Sequence, residues 1–89
     1  AMAELLAGHD LEADLRRCDL PAGHPMAGGS PAEWDLGKRH NITLLGWTEP
    51  SSEEFHHAHP RRTVPGGATL FFIASPDGWR QFLQSEQLE

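Results

Sequence analysis

Residues 68–74 read Ala-Thr-Leu-Phe-Phe-Ile-Ala, a strand that is apolar on both faces. Side chains alternate across a strand, so Leu70 and Phe72 point one way and Phe71 and Ile73 the other. Residues 42–48, Ile-Thr-Leu-Leu-Gly-Trp-Thr, repeat the signature, with Ile42 and Leu44 opposite Leu45 and Trp47. A two-faced strand needs cover above and below. The 89-residue chain offers only short helical segments, enough for one face of a small sheet. The pattern therefore predicts an α+β domain of about three strands and two short helices. Its sheet is completed or covered by a dimer partner or a neighbouring domain.

The helices announce themselves by their starts. Ser30-Pro31-Ala32-Glu33 combines an N-cap serine, a proline at the first helical position and a glutamate three residues after the cap. The helix that follows carries Trp34 and Leu36, is weakened at Gly37, and ends at Asn41, a residue tolerant of the left-handed conformation. Ser75-Pro76-Asp77 repeats the logic, and Trp79, Phe82 and Leu83 then form one apolar stripe. Residues 11–20 read as a charged strand suited to a sheet edge, where charge discourages pairing with other chains. Residues 50–63, rich in Pro, Ser, Glu, His and Arg, read as a mobile polar loop. Val64-Pro65-Gly66-Gly67 reads as a type II turn.

Composition excludes several classes. One cysteine, Cys18, permits neither an internal disulfide framework nor a cysteine-rich zinc site. Thirteen acids against seven Lys and Arg give a charge of −6, which argues against nucleic acid as a partner. The apolar runs fall far short of the ~18 residues that span a bilayer, so no direct membrane insertion is expected, and no signal-peptide pattern appears.

The chemical candidates are few. His56, His57 and His59 form a cluster of imidazoles, the side chain most used for zinc, nickel and copper. A solvated polar loop explains them more simply, so no metal site is assigned. A metal-responsive interaction module built on this loop is the alternative functional reading. Arg16 and Arg17 flank Cys18, yet no histidine–acid set accompanies it, and a structural thiol is expected. Lys38-Arg39 and Arg61-Arg62 would hold an anionic ligand if they converged. No catalytic set emerges, and the chain is read as a non-enzyme.

The order of these motifs resembles a known family. Leu20-Pro21-Ala22-Gly23-His24-Pro25-Met26-Ala27-Gly28 is similar to its leucine, Pro-x-Gly-Ser-Pro, apolar, x-Gly line. Ala32-Glu33-Trp34-Asp35-Leu36, then Arg39 and Ile42-Thr43-Leu44-Leu45-Gly46, match its next stretch, and residues 64–76 its last strand. This is the pattern of the RCK C-terminal, or TrkA-C, domain. The resemblance covers roughly residues 11–83. It divides the chain into an N-terminal remnant or linker helix (1–10), the TrkA-C-like domain (11–84) and a C-terminal tail (85–89).

The resemblance implies a TrkA-C-like α+β fold that dimerises. It implies a regulatory, ligand-sensing role on the cytoplasmic side of the membrane, within a potassium channel or cation transporter. The partners implied are a second copy and the N-terminal lobe or membrane pore of the parent protein. A small-molecule or nucleotide effector is the only ligand implied; no other cofactor is. Some members bind cyclic di-AMP at the dimer interface through an arginine after the Asp-Leu pair and a strand asparagine. Those positions are Gly37 and Thr43 here. The implied ligand-contacting positions are Arg39, Thr43, Leu44 and Pro65.

Overall fold

The computed structural model describes residues 14–88; the expected linker helix at 1–10 lies outside them. In chain order the elements are β1 (Asp14–Asp19), α1 (Pro31–Trp34), α2 (Leu36–His40), β2 (Thr43–Thr48), β3 (Phe55–His57), β4 (Thr69–Ala74) and α3 (Pro76–Ser85). The strands form one antiparallel sheet in the order β1-β4-β2-β3. The helices cover one face of it. Leu70, Phe72, Ala74, Trp47 and the half-buried Leu44 look inward. They pack on Trp34 and Leu36 from α1 and α2 and on Phe82 from α3, whose ring lies 5.2 Å from that of Phe72.

Four strands replace the three expected. The extra one, β3, lies within the polar stretch read as a loop. Its residues pair Gly46 with His57, Trp47 with His56 and Thr48 with Phe55. Three residues are too few for an alternating pattern to stand out. What holds them is tertiary: the Phe55 ring lies over Gly46, where a side chain would collide with it, and His56 stacks on Trp47 at 4.3 Å.

The faces of β2 also differ from simple alternation. The register slips between Leu44 and Gly46, leaving Leu45 as an extra bulged residue. A bulge resets the phase of the strand. Leu44 opposite Phe72 and Trp47 opposite Leu70 therefore share the inner face, and Leu45 remains exposed. Only β4 keeps the expected two-faced alternation.

The first helix is broken in two at Asp35, which takes the left-handed conformation (φ 53°, ψ 44°). Trp34 and Leu36 explain the break. Two residues apart on a continuous helix, they would point in nearly opposite directions. The break lets both enter the core. The start and stop signals hold: Glu33 accepts hydrogen bonds from the Ser30 amide (3.2 Å) and hydroxyl (3.0 Å), and Asn41 ends α2 at φ 56°. Ser75 caps α3 by accepting from the Gly78 amide at 3.1 Å.

The glycine turn sits one residue later than expected. Gly67, not Gly66, carries the positive φ (85°), and Ala68 N–H donates to the Pro65 carbonyl. Gly66 is used for close approach, since a Cβ there would lie 2.6 Å from the Ala22 Cα. β1 occupies the sheet edge, as its charges suggested. Beyond α3, Leu88 N–H donates to the Leu83 carbonyl and Leu88 packs on the core.

Candidate functional site

The functional candidate is a cleft of about 280 Å³ where α1, α2 and the start of β2 meet the segment after β3. Pro31, Leu36, Ile42, Leu44 and Pro60 give it apolar walls; Thr43 and His59 stand among them as polar groups. The Asp35 break and the β2 register build this cleft together. The first turns Leu36 inward, and the second sets Leu44 beside it. The segment opposite is pinned by Ala32 N–H donating to the Pro60 carbonyl (2.9 Å) and Ala58 N–H donating to the Leu45 carbonyl (3.0 Å). Gly37 lies in the wall, and a Cβ there would meet nothing within 4 Å.

His59 also belongs to an adjoining groove of about 370 Å³ whose other walls are Arg61 and Arg62. Arg61 N–H donates to His59 Nδ1 at 3.2 Å, which fixes the ring beside the two guanidinium groups. The arrangement is an apolar slot with a cationic rim. Chemically it suits a flat or greasy group carrying negative charge. Larger hollows of about 450 Å³ lie on either side of α3, one beside its first turns and one at its C-terminal end. Polar groups dominate the first, and neither gathers the expected contact residues.

Of the four expected ligand contacts, Thr43 and Leu44 line the cleft. Arg39 does not. Its guanidinium donates to the Glu86 carboxylate (2.7 Å) and to the Trp34 carbonyl (3.2 Å), tying α2 to the end of α3. Pro65 lies in the exposed turn before β4, away from these walls. Arg39 and Lys38 are absent from the Arg61–Arg62 groove, so the two basic pairs do not share one site.

The histidines do not converge. His56 and His57 are neighbours on β3 and project to opposite faces. His56 stacks on Trp47 and sits 3.6 Å from Glu49; His57 meets the edge of Phe55; His59 turns to the Arg61 amide. Among the described residues no group of three His, Cys, Asp or Glu side chains is placed to hold a metal ion. Strand geometry thus gives the metal-responsive alternative no support among the described residues. Burial, then the charge of Asp19, pushes the Cys18 thiol up to about 12, so it is protonated at neutral pH and a poor nucleophile.

Sequence reasoning missed Pro31, Leu36, Ile42, Ala58, His59 and Pro60 as cleft residues. Leu36 and Ile42 looked like core, and the other side of the cleft depends on β3. Two more histidines have structural tasks. His24 Nε2–H donates to the Glu86 carbonyl (2.6 Å) while Nδ1 accepts from the Met26 amide (3.0 Å). His40 is buried edge-on against Phe82, and among the described residues neither of its ring nitrogens has a hydrogen-bond partner. Burial, then the Arg39 charge, holds it below the ordinary imidazole value.

The architecture matches solved structures over nearly the whole chain. The GsuK channel superposes with a TM-score of 0.77 at 20% identity, covering 99% of this chain and 16% of that one. The RCK C domain of the potassium transport protein KtrA, in complex with cyclic di-AMP, gives 0.70 at 23% identity, covering 96% and 99%. This chain has the fold of an RCK C-terminal domain. The RCK_C domain dimer of S. agalactiae BusR, also in complex with cyclic di-AMP, gives 0.71 at 14% identity, covering 88% and 95%. A longer BusR, in complex with its busA-promotor DNA, gives 0.72 at 13%, the chain spanning 46% of its length. No family model and no curated protein matches the sequence. Among the described residues of this RCK C-terminal fold, no helix is long and apolar enough to cross a membrane.

Proposed function

We propose that this chain is the cytoplasmic regulatory domain of a potassium channel or cation transporter. It acts as a homodimer, takes a small-molecule or nucleotide effector in the cleft, and passes that binding to an N-terminal lobe or membrane pore of a longer protein. No catalytic step enters. The observation that carries the reading is the cleft: an apolar slot containing Thr43 and Leu44, rimmed by His59, Arg61 and Arg62, on an RCK C-terminal fold. Solved neighbours with this fold include a channel bound to NAD and two domains bound to cyclic di-AMP, which supports an adenine nucleotide as effector. The −6 charge argues against a DNA-binding role for this segment.

A ligand regulates only through different affinity for two states. A cleft whose walls come from α1, α2, β2 and the segment after β3 would stiffen all four when filled. Titration calorimetry with cyclic di-AMP and with NAD tests the reading. One of them gives saturable heat, lost in Leu44→Glu. A ligand at about a hundred times its Kd adds about 2.7 kcal/mol to the folded state, so it also raises Tm by about 11–22 °C. Absence of saturable heat with both probes would overturn the nucleotide reading.

A further inference from the structure

The hollow of about 450 Å³ beside the first turns of α3 shares no residue with the cleft. It forms where the end of α2 meets the start of α3. The two come so close that a Cβ on Gly78 would lie 2.9 Å from the His40 carbonyl oxygen. His40 belongs to the wall and is only 6% exposed. Among the described residues neither of its ring nitrogens has a hydrogen-bond partner. Buried polar groups are paired in the great majority of cases, and an orphan calls for a partner or a function.

The rest of the wall is rich in donors. α3 spans ten residues, long enough for its first amides to carry partial positive charge. Pro76 has no amide hydrogen, and Ser75 accepts those of Gly78 and Trp79 through its hydroxyl and carbonyl oxygens. The Asp77 amide is left without an acceptor among the described residues, and the Ser75 hydroxyl can still donate its own hydrogen. Arg80 lies 3.0 Å from the Asp77 carboxylate, in a pair whose side chains are 63% and 90% exposed. Such a pair is weak, and the guanidinium can exchange partners.

We propose that this hollow is a second ligand site, which takes the phosphate or carboxylate head of a small polar molecule onto the first turn of α3, Arg80 and the ring of His40. The donors select an anion: ring N–H, hydroxyl, backbone amide and guanidinium all converge on one hollow. Asp77 is the one acid in the wall, and its carboxylate is turned almost wholly to water. A metal ion finds no group of three ligands among the described residues, and an apolar ligand finds no apolar side chain in the wall. The space exceeds what the head alone fills. Asn41 and Gln84, whose amides both donate and accept, are left to meet the polar remainder. Gln81 also lines the hollow; it is exposed and can turn aside to open the ring to the ligand.

Binding is coupled to a proton. Burial and the Arg39 charge keep the ring neutral, while Glu86 and Gln81 favour its charged form more weakly. An anion docked beside the ring adds to the second set. His40 therefore takes up a proton as the ligand arrives, and affinity rises as pH falls through the imidazole range.

The test is an NMR titration of the full chain with sodium sulfate, standing for a phosphate head, and with sodium acetate, standing for a carboxylate. Chloride holds the ionic strength constant, and the series is repeated from about pH 5.5 to 8. Saturable shifts are expected at the Asp77 and Gly78 amides and on the His40 ring, whose titration moves upward when the anion is bound. Arg80→Gln, a change at an exposed pair, weakens binding several-fold without unfolding the chain. His40→Phe also weakens it and removes its dependence on pH. A response to sulfate alone makes the head a phosphate, and a response to acetate alone makes it a carboxylate; either supports the site. No saturable shift with either salt, or the same shift with chloride, overturns it. Shifts confined to His59 and Arg61 overturn it as well, by placing the anion on the rim of the cleft. Binding that leaves the His40 titration unmoved refutes the coupling to a proton. None of these outcomes bears on nucleotide binding in the cleft, which calorimetry reads separately.

Discussion

Gly46→Ala probes the contact that builds β3. A Cβ at Gly46 would run into the Phe55 ring and the His56 carbonyl oxygen. The ring can turn away; the carbonyl belongs to a strand paired through Gly46 and His57 and cannot. Forcing one extra carbon into such a packed position costs about 1–3 kcal/mol. Replacing glycine also narrows the unfolded ensemble, which returns about 0.4–1 kcal/mol where the native backbone suits alanine. The net is a loss of about 1–2 kcal/mol, or about 4–16 °C in Tm for a domain of this size. The loss is localised. Hydrogen exchange at the Phe55–His57 amides rises more than at β4, and Trp47 fluorescence shifts as His56 leaves its face. The Leu45–Ala58 bond loosens too, so affinity at the cleft falls with it. Gly37→Ala is the control: open space surrounds that position in α2, and alanine gains roughly 0.5–1 kcal/mol. If Gly46→Ala melts at or above the wild-type Tm with β3 amides still protected, the packing argument is wrong.

Other perturbations read different parts of the molecule. Phe82→Ala empties a fully buried site between Phe72, Trp79 and His40 and costs about 3–5 kcal/mol by denaturant unfolding. The folded state holds His40 below its ordinary pKa, so the unfolded chain takes up the proton first as pH falls. Stability is therefore complete above the ordinary imidazole range and declines as pH drops from there through the lowered value; His40→Phe flattens that part of a Tm–pH profile. Cys18 reacts with a disulfide reagent at neutral pH far more slowly in the folded chain than after denaturation, since its thiol is half-buried and pushed up to about 12; labelling of the native protein as fast as of the denatured chain would contradict this. Glu86→Gln removes the charge partner of a half-exposed Arg39 and lowers stability by up to about 1 kcal/mol, an effect absent in an Arg39→Met background.

The parts of the fold legible in the sequence are those fixed by local chemistry. Ser30 and Ser75 with their prolines, Asn41 at a helix end and the two-faced run of β4 each state a backbone conformation within a few residues. The bulge at Leu45 and the break at Asp35 were not legible. Both answer to the core: Trp47 must reach Leu70, and Trp34 and Leu36 must enter together. β3 stayed hidden because its stability comes from Gly46 and Trp47, which precede it in the chain. The cleft inherits all three surprises. Thr43 and Leu44 came from the resemblance; their neighbours required the break, the bulge and the extra strand. The pairing of Arg39 with Glu86 was not legible either, because nothing local in the sequence reveals Glu86 as its partner.

The strand order has a consequence for how the molecule is made. β1 and β2 both pair with β4, and Asp14 meets Ala74 across the interval between them. Neither has its long partner until residues 69–74 have left the ribosome. Everything synthesised earlier can form only the small β2–β3 hairpin and short helical turns, which are marginal alone. The domain is therefore expected to fold late and in one step, with a rate limited by distant pairing rather than by its helices. A nascent chain halted before Thr69 would present apolar segments without a sheet, and chaperones rather than effectors would be its first visitors.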